Sequence, residues 1–242
     1  MITIGTLEKA KTQTFPEHRH FRGSIDFLFE GAGDGDRVPQ AFLVHQEPGS
    51  TLVTHYHLEE QFQVFVGGGG TIGAHAVKPV VVHYASRESG YGPLVAGPQG
   101  LDYFSLRAIT HRGVHALPES RGAMTPGLRK RQKTVEQVDF VALDASPTAI
   151  IEPDDSGLGA WTFASAPLSE LTLPRHPGGG GCFYLVVEGS VTREGAELGK
   201  HACIFSTPDE APPRLLAGPG GAHLIAMQFP AAALLPRPGH PA

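Results

Sequence analysis

Residues 49–68 read GSTLVTHYHLEEQFQVFVGG, a β-prone run with two histidines, an acidic pair and two closing glycines. His55 and His57 are two positions apart. Alternate residues of a strand point to the same side, so both imidazoles can face one point. Neutral imidazole is a frequent ligand of first-row transition metals, and a side-chain oxygen of Glu60 or Gln61 would complete three corners of a site. The stretch therefore predicts a strand that carries a metal centre.

The spacing of these two histidines is not decisive by itself. The chain has 13 histidines in 242 residues, so roughly one His-x-His pair is expected by chance. A second pair, His18 and His20, lacks the oxygen ligand and the glycine that follow the first pair, and we interpret it as surface. The residues around His55 and His57 are what distinguish the first pair.

Those residues resemble the first motif of the cupin superfamily: Gly, five residues, His-x-His, three or four residues, an oxygen ligand, six residues, Gly. The matching positions here are Gly49, His55, His57, Gln61 and Gly68. The resemblance implies a jelly-roll β-barrel with a divalent metal ion on His55, His57 and Gln61, although Gln stands where Glu is commoner in the family. A metal-free barrel whose histidines line a pocket is the alternative.

The chain also repeats itself. Residues 94–106 (LVAGPQGLDYFSL) match residues 215–227 (LLAGPGGAHLIAM) at an offset of 121, half of the chain length. The same offset places His55 on His176. We therefore predict two copies of one β-rich unit, joined by the polar, basic stretch 113–136.

The repeat also bears on the choice between Glu60 and Gln61 as the oxygen ligand. The offset places Gly68 on Gly189, the one glycine that closes the second run CFYLVVEG, and this register makes Cys182 the counterpart of Gln61. A one-residue slip would turn every side chain to the opposite face, so the register favours Gln61. Glu60 stays open as the alternative.

The predicted fold class is all-β: two tandem cupin-like double-stranded β-helix (jelly-roll) barrels, the first over 20–115 and the second over 137–232. Gly67–Gly70 is predicted as a hairpin turn, and residues 1–20 show no strong periodicity. Predicted strands of the first barrel are 24–30, 38–46, 51–57, 61–66, 77–84 and 101–107. Because Gly178 replaces His57 in the second copy, we interpret that copy as a structural or interface partner.

The further histidine ligand that cupins usually take from a second motif is not evident. The usual second cupin motif has no clean match, but Tyr91 stands near the place of its histidine, and His83 lies eight residues earlier. We predict Tyr91 as a binding residue, which could ligate a metal, contact a bound molecule or pack, with His83 as the other candidate. His111 and His115 would share a helix face, but neighbouring Gly and Pro disfavour a helix, so no zinc pair is expected there.

Composition excludes several classes of protein. The chain is 40 % hydrophobic and 18 % charged, with a net charge of −5, which disfavours nucleic-acid partners. No apolar run could span a membrane, and the first residues lack a secretory pattern, so we expect a cytoplasmic protein without a membrane partner. Two cysteines, Cys182 and Cys203, suit a reducing compartment.

The predicted function follows from the resemblance. It is a metal-binding bicupin acting on a small oxygen-rich metabolite (carboxylate, diketone or diol), dioxygenase-like or else an isomerase or lyase. The divalent metal could be Fe, Mn, Ni or Zn. The alternative is a non-catalytic small-molecule-binding or structural cupin. A small-molecule ligand is the expected partner, and a homodimer is one option for the assembly. Hydrolase, kinase and dehydrogenase motifs are absent from the sequence.

Overall fold

The computed structural model describes most of the chain. The described residues are 1–18, 21–33, 36–140 and 146–235, without the side chains of Glu17 and His18. The second histidine pair therefore cannot be placed, because His20 and the side chain of His18 lie outside the described residues. None of the described helices is long and apolar enough to span a membrane.

Nearly all regular structure is β, which confirms the predicted fold class. In the described part of the chain, three short 3₁₀ helices cover Leu7–Lys9, Glu119–Ala123 and Ala231–Leu234. The strands, in chain order, are β1 (Ile2–Gly5), β2 (Lys11–His18), β3 (Phe21–Phe29), β4 (Gln40–Gln46), β5 (Thr51–Leu52), β6 (His55–Tyr56), β7 (Gln61–Ile72), β8 (His75–Val77), β9 (Val81–Ala85), β10 (Leu94–Arg107), β11 (His115–Ala116), β12 (Gln132–Val135), β13 (Thr148–Ile151), β14 (Gly159–Ser165), β15 (Glu170–Leu171), β16 (Gly179–Arg193), β17 (Ala196–Leu198), β18 (Cys203–Ser206) and β19 (Leu215–Pro230).

The chain divides into two compact units, each with its own antiparallel sheet. The first unit is Lys11–Gln137, with strand order β12-β9-β7-β10-β4-β3-β2. The second combines Met1–Ala10 with Val138–Ala242, in the order β1-β18-β16-β19-β14-β13. In both units two long neighbouring strands, β7 with β10 and β16 with β19, form the centre of the sheet.

The centre of the first unit is apolar except at one end. Gln61 to Phe65 of β7 are each at most 1 % exposed. Phe65 packs on Tyr103 with ring centroids 5.3 Å apart, and burial of such a side chain stabilises the fold by about 1.5–3 kcal/mol. Gln61 and Gln63 share a strand face with Phe65, because side chains alternate along β7. The buried face of β7 therefore changes from an apolar side chain at Phe65 to two amide side chains, Gln63 and Gln61, toward the start of the strand.

The glycine run does not form the predicted hairpin turn. Gly67–Gly70 lie within β7, which continues to Ile72. Gly68 has φ +64°, and the carbonyl oxygen of Gly100 lies 2.1 Å from where a Cβ on Gly68 would be. The glycines thus permit β7 to continue as a bulged strand that passes close to β10. Because β7 continues to Ile72, β10 has a pairing partner as far as Leu94 and begins there rather than at residue 101.

Other strand predictions were wrong at the ends of the sheets and at breaks. Residues 1–20 contain β1 and β2, which lie at sheet ends and bury few side chains, so their alternation is not visible in the sequence. The run 51–57 is two short strands, and 77–84 is interrupted near Pro79, which has no N–H to donate to a ladder.

Replacing Gly68 with Ala should destabilise the first unit, because the left-handed backbone and the carbonyl of Gly100 both oppose a side chain. We expect a loss of roughly 2–3 kcal/mol in the free energy of unfolding, measured by chemical denaturation. Gly113→Ala is the matched control. It also has a positive φ, +78°, but nothing lies within 4 Å of its Cβ position, so a smaller loss is expected. Equal losses would contradict the importance of the close approach.

Candidate functional site

The predicted residues come together at the polar end of the first unit. His55 lies on β6, Gln61 begins β7, and Tyr91 forms an isolated bridge with His55. Arg107, at the end of β10, pairs with Gln61 across the ladder and with Gln40 of β4 on its other side. We refer to His55, His57, Gln61, Tyr91 and Arg107 as the cup; each is at most 6 % exposed.

The imidazole of His55 is held in one orientation. Its Nδ1 lies 2.7 Å from the carbonyl oxygen of Val53, which can only accept, so Nδ1 carries the proton. Nε2 is therefore an acceptor, and the hydroxyl of Tyr91 donates to it at 2.9 Å. Burial, with a smaller contribution from the charge of Arg107, lowers the pKa of His55 to about 4. The ring is neutral at physiological pH.

Gln61 joins the histidine side of the site, and Glu60 does not. The amide nitrogen of Gln61 donates to the hydroxyl oxygen of Tyr91, and its Oε1 accepts from Nε and Nη2 of Arg107 at 3.2 and 2.9 Å. The carboxylate of Glu60 instead accepts a hydrogen bond from Tyr84. Consecutive strand residues face opposite ways, which separates the two alternatives left by the sequence. Burial raises the pKa of Tyr91 above its usual range.

His57 is also neutral and is bonded on both nitrogens. Nη2 of Arg107 lies 3.2 Å from its Nε2, and Nδ1 of His111 lies 3.2 Å from its Nδ1. Burial and the charge of Arg107 hold the pKa of His57 well below its ordinary value. His111 in turn stacks on His115 with ring centroids 5.7 Å apart. His57 therefore connects the cup to two further histidines in the chain after β10.

A second polar layer lies deeper in the same unit. Gln63 and His83 pair across β7 and β9, and the ring of His83 lies 5.4 Å from that of Tyr91. Nδ1 of His83 lies 2.9 Å from Oγ1 of Thr134. Among the described residues, Oε1 of Gln63 and Nε2 of His83 have no hydrogen-bond partner, although both side chains are at most 2 % exposed. Burial lowers the pKa of His83 to about 4.

As arranged, the residues do not fit a divalent metal ion held by His55, His57 and Gln61. Arg107 contacts the acceptor atoms of both His57 and Gln61, and the hydroxyl of Tyr91 contacts that of His55. Over the ranges that the structure covers, no group of three or more His, Cys, Asp or Glu side chains could hold a metal ion. Of these three side chains, only His55 has the geometry usual for a ligand, with its other nitrogen fixed by a carbonyl.

The sequence missed two contributors to this site, Arg107 and Gln40, and it named a third, His111, only to set it aside as a zinc ligand. Nη1 of Arg107 donates to Oε1 of Gln40 at 2.7 Å and to the carbonyl oxygen of His111 at 3.1 Å. The available signal was the repeat, because an offset of 121 places Arg107 on Gln228, a second buried polar residue at the end of a long strand.

The second unit has a different set of residues at the equivalent register. Gln228 pairs with Cys182 in the ladder, and its amide bonds both the N–H and the carbonyl of His176, at 2.9 and 3.0 Å. Cys182 and Cys203 are free and buried, and burial raises the pKa of the Cys182 thiol to about 12. Cys182 is therefore a neutral thiol at physiological pH.

Acid should unfold the first unit selectively. The imidazoles of His55 and His83 have a pKa near 6.5 in an unfolded chain and about 4 when folded, so the unfolded state binds more protons between these values. Stability should therefore fall as pH decreases from about 6.5 to 4, by roughly 2–3 kcal/mol per imidazole.

This prediction can be checked by denaturation in the presence of a chelator. Tyrosine absorbance reports mainly the first unit, which holds four of the five tyrosines, and fluorescence of Trp161 reports the second. His83→Phe should reduce the pH dependence of the tyrosine signal. A stability of the first unit that is constant from pH 6.5 to 4 would contradict the neutral, buried histidines.

Comparisons with known proteins give structural but not sequence relatives. No protein-family model and no curated protein sequence matches the chain. The bacterial pirin YhhW from Escherichia coli, solved in complex with nickel(II), matches with a TM-score of 0.62 and 12 % identity over 95 % of this chain and 99 % of that chain.

Two enzymes are also similar in structure. A deletion mutant of Bacillus subtilis oxalate decarboxylase has a TM-score of 0.61 at 10 % identity, over 94 % of this chain and 77 % of that chain. Quercetin 2,3-dioxygenase from Acinetobacter baumannii has 0.52 at 12 %, over 90 % and 79 %. At such identities the similarity shows the fold alone. With the antiparallel sheets described above, these neighbours show that the chain has the jelly-roll fold that the motif around His55 predicted.

Proposed function

We propose that the first unit binds a small oxygen-rich metabolite in its polar interior, next to Tyr91. The observation that carries this proposal is the pair of buried atoms, Oε1 of Gln63 and Nε2 of His83, that lack partners among the described residues. A buried polar atom without a hydrogen bond costs about 1–3 kcal/mol, so two in one layer are expected only where something supplies the missing bonds.

The chemistry of these two atoms narrows the class of ligand. An amide oxygen accepts and cannot donate, so Gln63 requires a hydroxyl or N–H donor from the ligand. Nε2 of His83 is a donor or an acceptor according to its tautomer. A hydroxyl group supplies both roles, which favours diols and hydroxy acids over diketones. The positive charge of Arg107 in the neighbouring cup favours a ligand that also carries a carboxylate.

A cleft in the first unit is lined in part by the residue next to Tyr91 in sequence and by two basic side chains. It has a volume of about 440 Å³, and its lining includes Gly90, the residue before Tyr91, together with Leu117 and the basic residues Arg121 and Lys130. The N–H of Leu117 donates to the carbonyl oxygen of Thr54, directly before His55. The cleft therefore adjoins the chain segments that form one wall of the cup, and its two cations suit an anionic ligand.

Replacing Gln63 with Leu tests this proposal. Removing an amide oxygen that lacks a partner should leave the melting temperature of the free protein unchanged or higher, since an apolar side chain of similar size suits the interior. It should also abolish any rise in melting temperature caused by ligand. The measurement is a thermal-shift screen of small diols, hydroxy acids, carboxylates and diketones on the wild type and the variant.

Gln13→Leu, on exposed β2, is the matched control and should keep the ligand-induced shift. Two results would count against the proposal: no compound stabilises the wild type, or Gln63→Leu responds to the same compounds as the wild type does. Destabilisation of the free variant would indicate that Gln63 has a structural role instead.

A metal-dependent, dioxygenase-like activity is the second candidate function. It is favoured by the fixed tautomer of His55, whose Nε2 faces the cup, and by the motif that supplies His57 and Gln61. The nickel(II) complex of YhhW and the quercetin 2,3-dioxygenase fold support the same candidate by analogy only. A divalent ion would supply a positive centre for substrate oxygens, which Tyr91 would orient, in an arrangement in which Arg107 no longer bonds His57 and Gln61.

Metal analysis and oxygen uptake test this second candidate. The chain is purified without added metal, offered Fe, Mn, Ni or Zn in turn, and assayed for bound metal and for oxygen uptake with diols and diketones. A metal centre predicts about one ion per chain, removed by His57→Ala with the protein still folded. His75→Ala, at an exposed histidine, is the control. Less than about 0.2 ion per chain would contradict it.

We also propose that the two units are copies of one ancestral barrel, the barrels themselves occupying 20–115 and 137–232. Gly68 pairs with Leu101 in the first unit, and Gly189 pairs with Ala222 in the second, both 121 positions later. Gly189 has φ +73°, and the carbonyl oxygen of Gly221 lies 2.1 Å from its Cβ position, the distance found at Gly68. A cytoplasmic location and a homodimer stay predictions from the sequence.

A further inference from the structure

The guanidinium of Arg107 lies among the donors that a metal ion would use. It donates twice to Oε1 of Gln61, and its Nη2 lies 3.2 Å from Nε2 of His57. We propose that Arg107 is a built-in competitor of divalent cations, so that a metal ion binds His57 and Gln61 only after the guanidinium has left them. This inference does not depend on the ligand proposed for Gln63 and His83.

Arg107 is held by its contacts on every nitrogen. Nη1 donates to Gln40 and to the carbonyl of His111, and the face of the group lies 5.3 Å from the ring centroid of Phe42. A guanidinium has five N–H groups, and these bonds, with those to Gln61 and His57, account for all five. A metal ion would therefore have to replace a complete set of charge-assisted hydrogen bonds, which are among the stronger polar contacts in proteins.

Charge adds to this competition. Arginine stays protonated in proteins, so it cannot lower its charge when a cation approaches. Its side-chain hydrogen-bond partners Gln40, Gln61 and His57 are neutral. A divalent ion placed on His57 and Gln61 would lie within a few ångströms of a positive charge in a buried site, where like charges repel strongly.

In the second unit a neutral side chain occupies the equivalent register position and also holds a neighbouring segment by hydrogen bonds. Gln228 stands 121 positions after Arg107 and bonds the backbone of His176, the counterpart of His55. Both units thus use the last buried polar residue of a long central strand to hold the segment that carries the motif histidine. Only the first unit uses a permanent cation for this purpose.

Titration of nickel(II) into chelator-treated protein, followed by calorimetry, tests the inference. The variants are Arg107→Met, which removes the charge, and Arg107→Gln, which installs the side chain of the second unit. We expect both to bind nickel(II) at least about 30-fold more tightly than the wild type. Adding His57→Ala to Arg107→Met should abolish the gain. Arg112→Met, at an arginine whose side chain is half exposed, should bind as the wild type does.

Each result of the nickel(II) titration either supports or overturns the inference. Wild-type affinity equal to that of both variants would overturn the inference and would support the metal-centre candidate. Folded variants that bind no nickel(II) would overturn it too, because His57 and Gln61 would then fail to bind a metal ion even without Arg107. If both variants unfold, the wild type decides: the NMR signal of the Arg107 Nε–H should persist unchanged with excess paramagnetic nickel(II), and its loss at one equivalent would overturn the inference.

Discussion

The hydrogen bonds from Arg107 to Gln61 are the contact on which the rest of the site depends. They lie between the ends of β10 and β7, which pair along most of their length in the first unit. A buried charge is strongly unfavourable unless its hydrogen bonds are satisfied, so the surrounding side chains must be acceptors. Gln40, Gln61 and the carbonyl of His111 meet this requirement, and so does His57, because burial beside a cation keeps its ring neutral.

The same constraint orders the remaining side chains. Since Oε1 of Gln61 accepts from Arg107, its amide nitrogen faces Tyr91, whose hydroxyl proton is then directed to Nε2 of His55. The carbonyl of Val53 fixes the proton of His55 on Nδ1. The cup is therefore one chain of donors and acceptors whose direction is set by the guanidinium. The deeper layer, Gln63 and His83, is left with bonding capacity that the described residues do not use, which is why we assign the ligand to that layer.

The sequence predicted the fold class and the histidine side of the site because both depend on local spacing. His55 and His57 are two residues apart, and the register of the repeat favoured Gln61 over Glu60. In the structure Gln61 contacts Tyr91 and Arg107, and Glu60 contacts Tyr84. Arg107 could not be found in this way, since its contact with Gln61 depends on which residues face each other across β7 and β10, 46 positions apart in sequence. The glycine run was misread because a turn and a bulged strand use the same residue type.

The decisive experiment is a crystal structure of the wild-type protein grown with excess nickel(II), with anomalous data collected at the nickel edge. We expect Arg107 to stay bonded to Gln61 and His57, with no anomalous peak among His55, His57 and Gln61. A peak coordinated by these three side chains, with Arg107 still bonded to Gln61, would contradict the central claim that the guanidinium and a metal ion exclude each other.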